Sequence, residues 1–410
     1  RIDGAGTLGG VNLGANAFLA GFTITNGFRS VGGGISGASS AIVSNCVITG
    51  NRSDDSGGGV YGVAVYDSLI EGNLATSGGG GACNATLYRC RLIGNQSGSF
   101  EDWECIGWIG PTCTDIRPVV RGGGGGAYDC RLFSCLLADN FATAGGGACS
   151  SDLSNCTLVS NQAAGVTYGS EYNSVYGGGG GIFAGSAVNC VFEMNVDSTE
   201  PSKSDWDSSP AISYSCLANP PVDIGNVTGR VTFVAGTFQL APGSLGINAG
   251  DNASVQGTTD LAGNPRIANG TVDMGAYEYR LPDADGDGIP DDWESAQGLN
   301  PAVSNSPAMD ADGDAQPDVA EYIADTQPNN PTSVFPQVVV TNPPLGTMVL
   351  VVDPTSTARV YGVRWTTNLL AVPQIWTLVP PEKTGTSSAV TFTVTNDGPG
   401  RIYRTGVRLP

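Results

Sequence analysis

Between Gly32 and Asn195 one pattern recurs: a run of glycines, a short apolar stretch, then an asparagine. The glycine runs are Gly32 to Gly34, Gly57 to Gly59, Gly78 to Gly81, Gly122 to Gly126, Gly145 to Gly147 and Gly177 to Gly181. The asparagines Asn26, Asn51, Asn73, Asn95, Asn140, Asn161 and Asn195 are separated by 25, 22, 22, 45, 21 and 34 residues. The long steps read as one unit plus an insertion, which leaves a period of about 22. A fixed period of this size describes stacked units, none of which can bury a core alone.

The phase is finer still. Five residues before most of these asparagines stands a cysteine (Cys46, Cys90, Cys135, Cys156, Cys190), with Ser68 in that place in another unit. Short apolar pairs follow: Val47-Ile48, Leu92-Ile93, Leu136-Leu137, Leu158-Val159 and Val191-Phe192. Equivalent side chains that return coil after coil are what a parallel β-helix requires, because its coils stack ~4.8 Å apart. Asparagine suits the turn: it tolerates the left-handed conformation, and its amide can bond its copies above and below. Glycine suits the opposite corner, where the chain bends sharply and packs closely.

Composition narrows the chemistry. Gly is 61 of 410 residues and charged residues are 14%, which favours turns and short strands over helices. The formal net charge is −20, so nucleic acid and anionic membrane surfaces are disfavoured partners. No apolar run approaches a membrane span. Histidine is absent, which removes Ser-His-Asp and Cys-His nucleophiles, histidine zinc sites and the usual general base. A lyase-like group is confined to Arg52 with Asp54 and Asp55, expected in a solvated turn. The coil carboxylates Asp67, Glu71, Asp129, Asp139, Asp152 and Glu193 do not recur at one phase on adjacent coils, as a paired-carboxylate hydrolase would need.

Eleven cysteines without a Cys-x-x-Cys pair, in a chain whose first residue is Arg1, are read as those of a processed, exported protein. The cysteine ladder is expected to be mostly free, buried thiols. Bridges within a coil, Cys83 to Cys90 and Cys149 to Cys156, are the alternative. One insertion, about Ser97 to Arg121, carries Trp103, Trp108 and an expected Cys105–Cys113 disulfide. A second, about Ala164 to Tyr176, carries Tyr168, Tyr172 and Tyr176.

Toward the end of the coils come Ile212-Ser213-Tyr214-Ser215-Cys216, Phe238 to Ser244, Asn248-Ala249-Gly250-Asp251, Asp260 to Arg266 and Val272 to Glu278. In order and spacing these stretches resemble the terminal region of bacterial surface proteins termed choice-of-anchor Q proteins, and with the coils the resemblance covers about two thirds of the chain. It departs at Leu245 and Gly246, where Pro and Cys are expected, so the family's bridge to Cys216 is in doubt. The resemblance implies an extracellular β-helix, often tethered by a variable C-terminal element, and no enzymatic activity.

The sharpest chemical motif lies at 283–321. Asp283, Asp285, Asp287, Gly288, Asp291 and Glu294 occupy positions 1, 3, 5, 6, 9 and 12 of a twelve-residue loop. Alternate hard oxygen ligands, a glycine at the tight turn and a closing glutamate are the requirements of an EF-hand calcium loop. Asp310, Asp312, Asp314, Asp318 and Glu321 form a second set, with Ala315 at the glycine place. Ile289 and Gln316 would supply backbone carbonyls. The register resembles dockerin and thrombospondin type 3 calcium repeats. Two calcium ions are therefore expected. Ala315 should make the second site weaker, and magnesium fits less well because it retains more water.

The expected architecture is all-β: a right-handed parallel β-helix over 1–234, a terminating segment over 235–281, tandem calcium loops over 282–332 and an Ig- or fibronectin-like β-sandwich over 333–410. The expected role is a non-catalytic extracellular structural protein. An abrupt first coil suggests head-to-tail self-association into a filament. A glycan-binding adhesin is the alternative, and a polysaccharide lyase or hydrolase the more distant one.

Overall fold

The computed structural model describes residues 1–410 except 99–102, 110–111, 119–122, 165, 168–174, 177, 199, 209, 269, 306–308, 336–337, 342–346, 354, 358, 367–376, 396–401 and 409–410. For 103–109, 112–118, 166–167, 175–176, 338–341, 347–348, 395 and 402 it describes the backbone alone. The chain forms two compact units, Arg1–Tyr279 and Arg280–Pro410.

The first unit is built of three long parallel sheets through which the chain passes in turn, the layout of a β-solenoid. One has ten strands, among them Thr23–Thr25, Val47–Thr49, Leu69–Glu71, Arg91–Ile93, Leu136–Ala138, Thr157–Val159 and Val191–Glu193. A second has fourteen strands, and a third has seven, from Phe28–Val31 to Val196–Asp197. Register is constant. Ile24, Ile48, Ile70, Leu92, Leu137, Leu158 and Phe192 stand in one inward ladder, each at most 2% exposed. Val43, Val65, Leu87, Leu132 and Leu153 form another in the second sheet. Each such side chain removed from water is worth ~1.5–3 kcal/mol, and stacking places that gain between coils rather than within them.

The asparagines hold the corner. In Asn51, Asn73, Asn95, Asn140 and Asn161 the side-chain amide donates to the Oδ1 of the next asparagine at 2.9–3.0 Å. The backbone N–H of each donates to the same oxygen at 3.0–3.1 Å. The second amide hydrogen reaches a carbonyl of the preceding coil, as in Asn95 Nδ2 to Ile70 at 2.9 Å. These asparagines do not themselves take the left-handed conformation. Positive φ belongs to the residue before each: Gly50, Gly72, Gly94, Asp139, Ser160 and Met194. Asn26, with φ 52°, belongs to that preceding position, and Gly27 rather than Asn26 aligns with Asn51. The glycine corner requires close approach: a Cβ on Gly81 would lie 2.6 Å from the Gly126 carbonyl oxygen and 3.0 Å from the Asn95 side chain.

The nine described cysteines are free and buried, so neither in-coil bridge forms. Six of them, Cys46, Cys90, Cys130, Cys135, Cys156 and Cys190, donate to the carbonyl two residues before. The Cys90 thiol donates to the Tyr88 carbonyl at 3.4 Å and its N–H meets Cys135 Sγ at 3.4 Å. Ser68 makes the same pair of bonds, to Tyr66 and from Cys46. Burial pushes the Cys90 and Cys156 thiols well up and Cys83 to about 12, which keeps them protonated and unreactive. The Cys105–Cys113 side chains lie outside the described residues. Backbone register pairs Cys105 with Ile116 and Trp108 with Cys113, so the two cysteines are not opposite each other.

Three excursions leave the solenoid at one corner, between the third sheet and the glycine run. They are the hairpin Trp103–Ile109 with Thr112–Pro118, the pair Val166–Thr167 with Val175–Tyr176, and a turn through Pro201–Lys203. The tyrosine side chains expected in the second excursion lie outside the described residues.

Residues after Arg230 return across the outer face of the first sheet. Leu136, Ala138 and Val159 pack there with Phe233, Phe238 and Leu261, and Val191 with Leu240 and Met274. Strands there are buried throughout, whereas Val47–Thr49 buries only Ile48. The segment is fixed by Arg266, 1% exposed, which donates to Glu278 at 2.8 Å and to the Gly275 carbonyl at 3.1 Å. The Asp260 carboxylate accepts the N–H groups of Ala262, Asn264 and Glu278.

In the second unit two helices, α1 (Asp291–Gln297) and α2 (Asp318–Ala324), precede two three-stranded antiparallel sheets. Val338–Thr341, Thr347–Val352 and Val390–Thr395 form one, and Thr377–Thr384, Val360–Thr366 and Ile402–Arg408 the other. Leu350, Val352, Phe392 and Val394 share a core with Tyr361 and Val363. Among the described residues no helix is long and apolar enough to cross a membrane.

Asn95→Ala should lower stability by roughly 3 kcal/mol in chemical denaturation, because it strands the Asn73 amide and the Ile70 carbonyl in the interior. Cys90→Ser should cost under about 1 kcal/mol, since serine already performs this task in Ser68. A greater loss for Cys90→Ser than for Cys90→Ala would contradict the hydrogen-bonding role.

Candidate metal centre

Each acidic loop is a turn folded on its own carboxylates. Asp283 accepts the N–H of Gly286 at 2.8 Å and of Gly288 at 3.0 Å. Asp285 accepts Asp287, Asp287 accepts Ile289, and Asp291 accepts Ala284. Shifted by 27 residues (310 − 283), the second loop repeats every one of these bonds: Asp310 with Gly313 and Ala315, Asp312 with Asp314, Asp314 with Gln316, and Asp318 with Ala311. Such short side-chain-to-backbone bonds are what Asp forms in turns. They engage both oxygens of Asp283 and Asp310 and one oxygen of each of the other aspartates.

The carboxylates of each loop converge. Asp283, Asp285 and Asp287 each offer one oxygen within 4.8 Å of the others, and so do Asp310, Asp312 and Asp314. Glu294 and Glu321, on α1 and α2, are 0% exposed, as is Asp318. Among the described residues six buried carboxylate oxygens lack any partner, and five belong to these loops: Asp285 Oδ2, Glu294 Oε2, Asp312 Oδ2, Asp318 Oδ2 and Glu321 Oε2. A buried carboxylate oxygen with no donor is costly, and a cation relieves that cost. Burial, then the neighbouring aspartates, pushes the Glu294 and Glu321 carboxyls to about 7. Burial also raises Asp285 and Asp318. For Asp310, burial acts upward but the amides of Ala315 and Gly313 outweigh it, and the group is lowered.

All twelve positions assigned from sequence fall within these two loops, and Ile289 is fully buried among them. The donor set is all oxygen and carboxylate-rich, which suits a hard divalent ion and not a soft one. Ala315 adopts φ 76°, close to the 91° of Gly288, so alanine is held in the conformation the turn demands.

Some residues that shape the two loops gave no sequence signal. Asn305 donates its N–H to Asp287 at 2.6 Å and its amide to Glu294 at 3.1 Å, thereby orienting two carboxylates of the first loop. Thr326 donates to Glu321 at 3.2 Å. Trp293 and Tyr322 meet edge-on at 5.2 Å, which joins α1 to α2. Arg359, 7% exposed, grips the end of α2 through the carbonyls of Ile323 at 2.9 Å and Tyr322 at 2.6 Å. An Asn, a Thr and an Arg at irregular distances from a motif carry no pattern of their own.

The lyase-like group fares differently. Arg52–Ser56 is a strand of the third sheet rather than a turn, and Arg52 and Asp54 form a 3.6 Å ion pair with both side chains more than half exposed. A surface pair of this kind contributes little energy, and the other group Arg52 meets is the Phe28 ring, 5.8 Å from its guanidinium carbon.

No family profile, curated protein or solved structure matches the chain.

Ala315→Gly should raise stability by about 1 kcal/mol, because a Cβ in the left-handed region costs ~1–2 kcal/mol. It should also strengthen the second site in a calcium titration; unchanged affinity and melting would show that the loop does not strain Ala315.

Proposed function

We propose that this chain is a non-catalytic, extracellular structural protein whose second unit is held in shape by two calcium ions. The single observation that carries the reading is the set of five unpartnered, buried carboxylate oxygens, every one at a ligand position of an EF-hand-like loop. Asp283, Asp285, Asp287, Asp291 and Glu294 would hold one ion, with the Ile289 carbonyl. Asp310, Asp312, Asp314, Asp318 and Glu321 would hold the other, with the Gln316 carbonyl. Calcium accepts six to eight oxygens in flexible geometry, which this donor count suits better than magnesium's octahedron.

The solenoid supports the structural part of the reading. Its corner asparagines are engaged in a ladder between coils, and burial keeps the Cys83, Cys90 and Cys156 thiols protonated. Right-handed winding, an Ig- or fibronectin-like class for the two C-terminal sheets and kinship with choice-of-anchor Q surface proteins complete the proposal. The partner suited to such a role is a second copy of the chain or a cell-surface glycan.

Calorimetry of the full chain tests it. Calcium at a hundred times its dissociation constant should stabilise the second unit by about 2.7 kcal/mol per site, with magnesium at equal concentration giving much less. Isothermal titration should count two ions, and one in Glu294→Gln or Glu321→Gln. Superimposable melting curves with calcium and with chelator would defeat the proposal.

A further inference from the structure

An open trough of about 340 Å³ lies on one face of the sheet formed by Thr377–Thr384, Val360–Thr366 and Ile402–Arg408. Strand alternation builds it. Tyr361 and Val363 turn into the core of the second unit, and Tyr403 and Val407 pack on that core. The residues that alternate with them, Gly362, Arg364, Arg404, Gly406 and Arg408, line the trough on the opposite face. Register sets Arg364 directly opposite Arg404, and Gly362 directly opposite Gly406. Arg408 stands at the other end, four residues from Arg404, or ~14 Å along an extended strand. The chain has 18 basic residues against 38 acidic ones. Three arginines nevertheless line this one space, and Glu382 supplies the single carboxylate among its described lining residues. Like charges directly opposite each other on a sheet are unfavourable, so the Arg364–Arg404 pair favours an anion between them.

The floor points to close approach by a ligand. Glycine inside a strand weakens it, and marks a bulge, a bend or a place where another group comes near the backbone. Gly362 has its reasons within the fold. Pairing with Thr377–Thr384 shifts register between Tyr361 and Val363, and a Cβ on Gly362 would lie 3.1 Å from Glu382 Oε1. Gly406 has none. It pairs with Gly362 in regular register, its φ lies outside the left-handed region, and a Cβ there would meet nothing within 4 Å. The missing side chain leaves the floor open. Glu382 shows which group this floor accepts. Its carboxylate lies beside Gly362, and its Oε2 accepts Arg408 Nε at 3.1 Å and Nη2 at 2.8 Å. Over Gly406, toward Arg364 and Arg404, the guanidinium chemistry is repeated. The volume is near the small end of the ~300–1,000 Å³ range of ligand sites, which suits one small molecule rather than a polymer.

We infer that this trough is a binding site for a small carboxylate ligand, whose carboxylate lies over Gly406 and takes a forked pair of hydrogen bonds from Arg364, with Arg404 opposite adding positive charge. The inference does not rest on the calcium loops. The test is isothermal titration of the full chain with glucuronate, a carboxylate on a single ring, beside glucose and inorganic phosphate. Glucuronate should bind, glucose should not, and phosphate should bind more weakly than glucuronate. Arg364→Gln, at an exposed position, should weaken glucuronate binding about tenfold or more. Gly406→Val should abolish it while the melting temperature holds or rises, because the backbone has room for the side chain and valine favours a strand. A glycine with only a structural role would not separate binding from stability in this way, and Arg364→Gln decides the matter whatever valine does to folding. Absence of glucuronate binding, equal affinity in Arg364→Gln, tighter binding of phosphate, or equal binding of glucose would each overturn the assignment.

Discussion

A buried primary amide has two donors and an acceptor to satisfy, and inside this solenoid it can satisfy them only with copies of itself and the adjoining backbone. That requirement fixes the structure of the first unit. Each asparagine oxygen receives two hydrogens from the coil before it, so a coil one residue too long or too short at this corner would leave several polar groups buried and unpaired. The hydrophobic ladders tolerate exchange among Ile, Leu and Phe; the amide ladder tolerates none. Length variation is accordingly displaced to another corner.

The second unit meets the opposite problem, an excess of one charge. Twelve acidic residues fall between Asp283 and Asp325 without a Lys or Arg among them. Backbone amides occupy one oxygen of most of these carboxylates, and Asn305 and Thr326 occupy one oxygen of each closing glutamate. Five carboxylate oxygens remain buried without a partner, on Asp285, Glu294, Asp312, Asp318 and Glu321. Arg359 enters from the sheet portion of the same unit and fixes the far end of α2, so the helix that carries Glu321 is anchored at both ends.

Much of this was legible in the residues. Glycine runs and asparagines at a constant step marked the coils, and the alternate aspartates marked the loops. Errors arose where two positions carry the same residue type: Asn26 looks like a ladder residue but occupies the left-handed place before it. The outward apolar residues Leu136, Ala138 and Val159 signalled burial on both faces, yet nothing nearby in sequence named the segment that covers them. The bond from Asn195 to Asp205 was hidden because Asp205 follows Gly181 in a column of corner glycines, and a column is visible only once the coils are aligned in space. Asn305 and Arg359 act through position alone.

The three excursions share one corner, and this separates two kinds of evolutionary freedom. Chain added there is never read by the ladders: the pairing of Gln96 with Phe141 is kept across a 45-residue step. The excursions follow Gln96–Ser97, Gln162–Ala163 and Val196–Asp197, three strands of the third sheet, and so leave along one edge. Their sequences can drift or lengthen without a toll on the frame, while substitutions at the asparagine corner cannot. The solenoid is in this sense a scaffold with a single variable margin, and new recognition surfaces can be grafted along it one coil at a time.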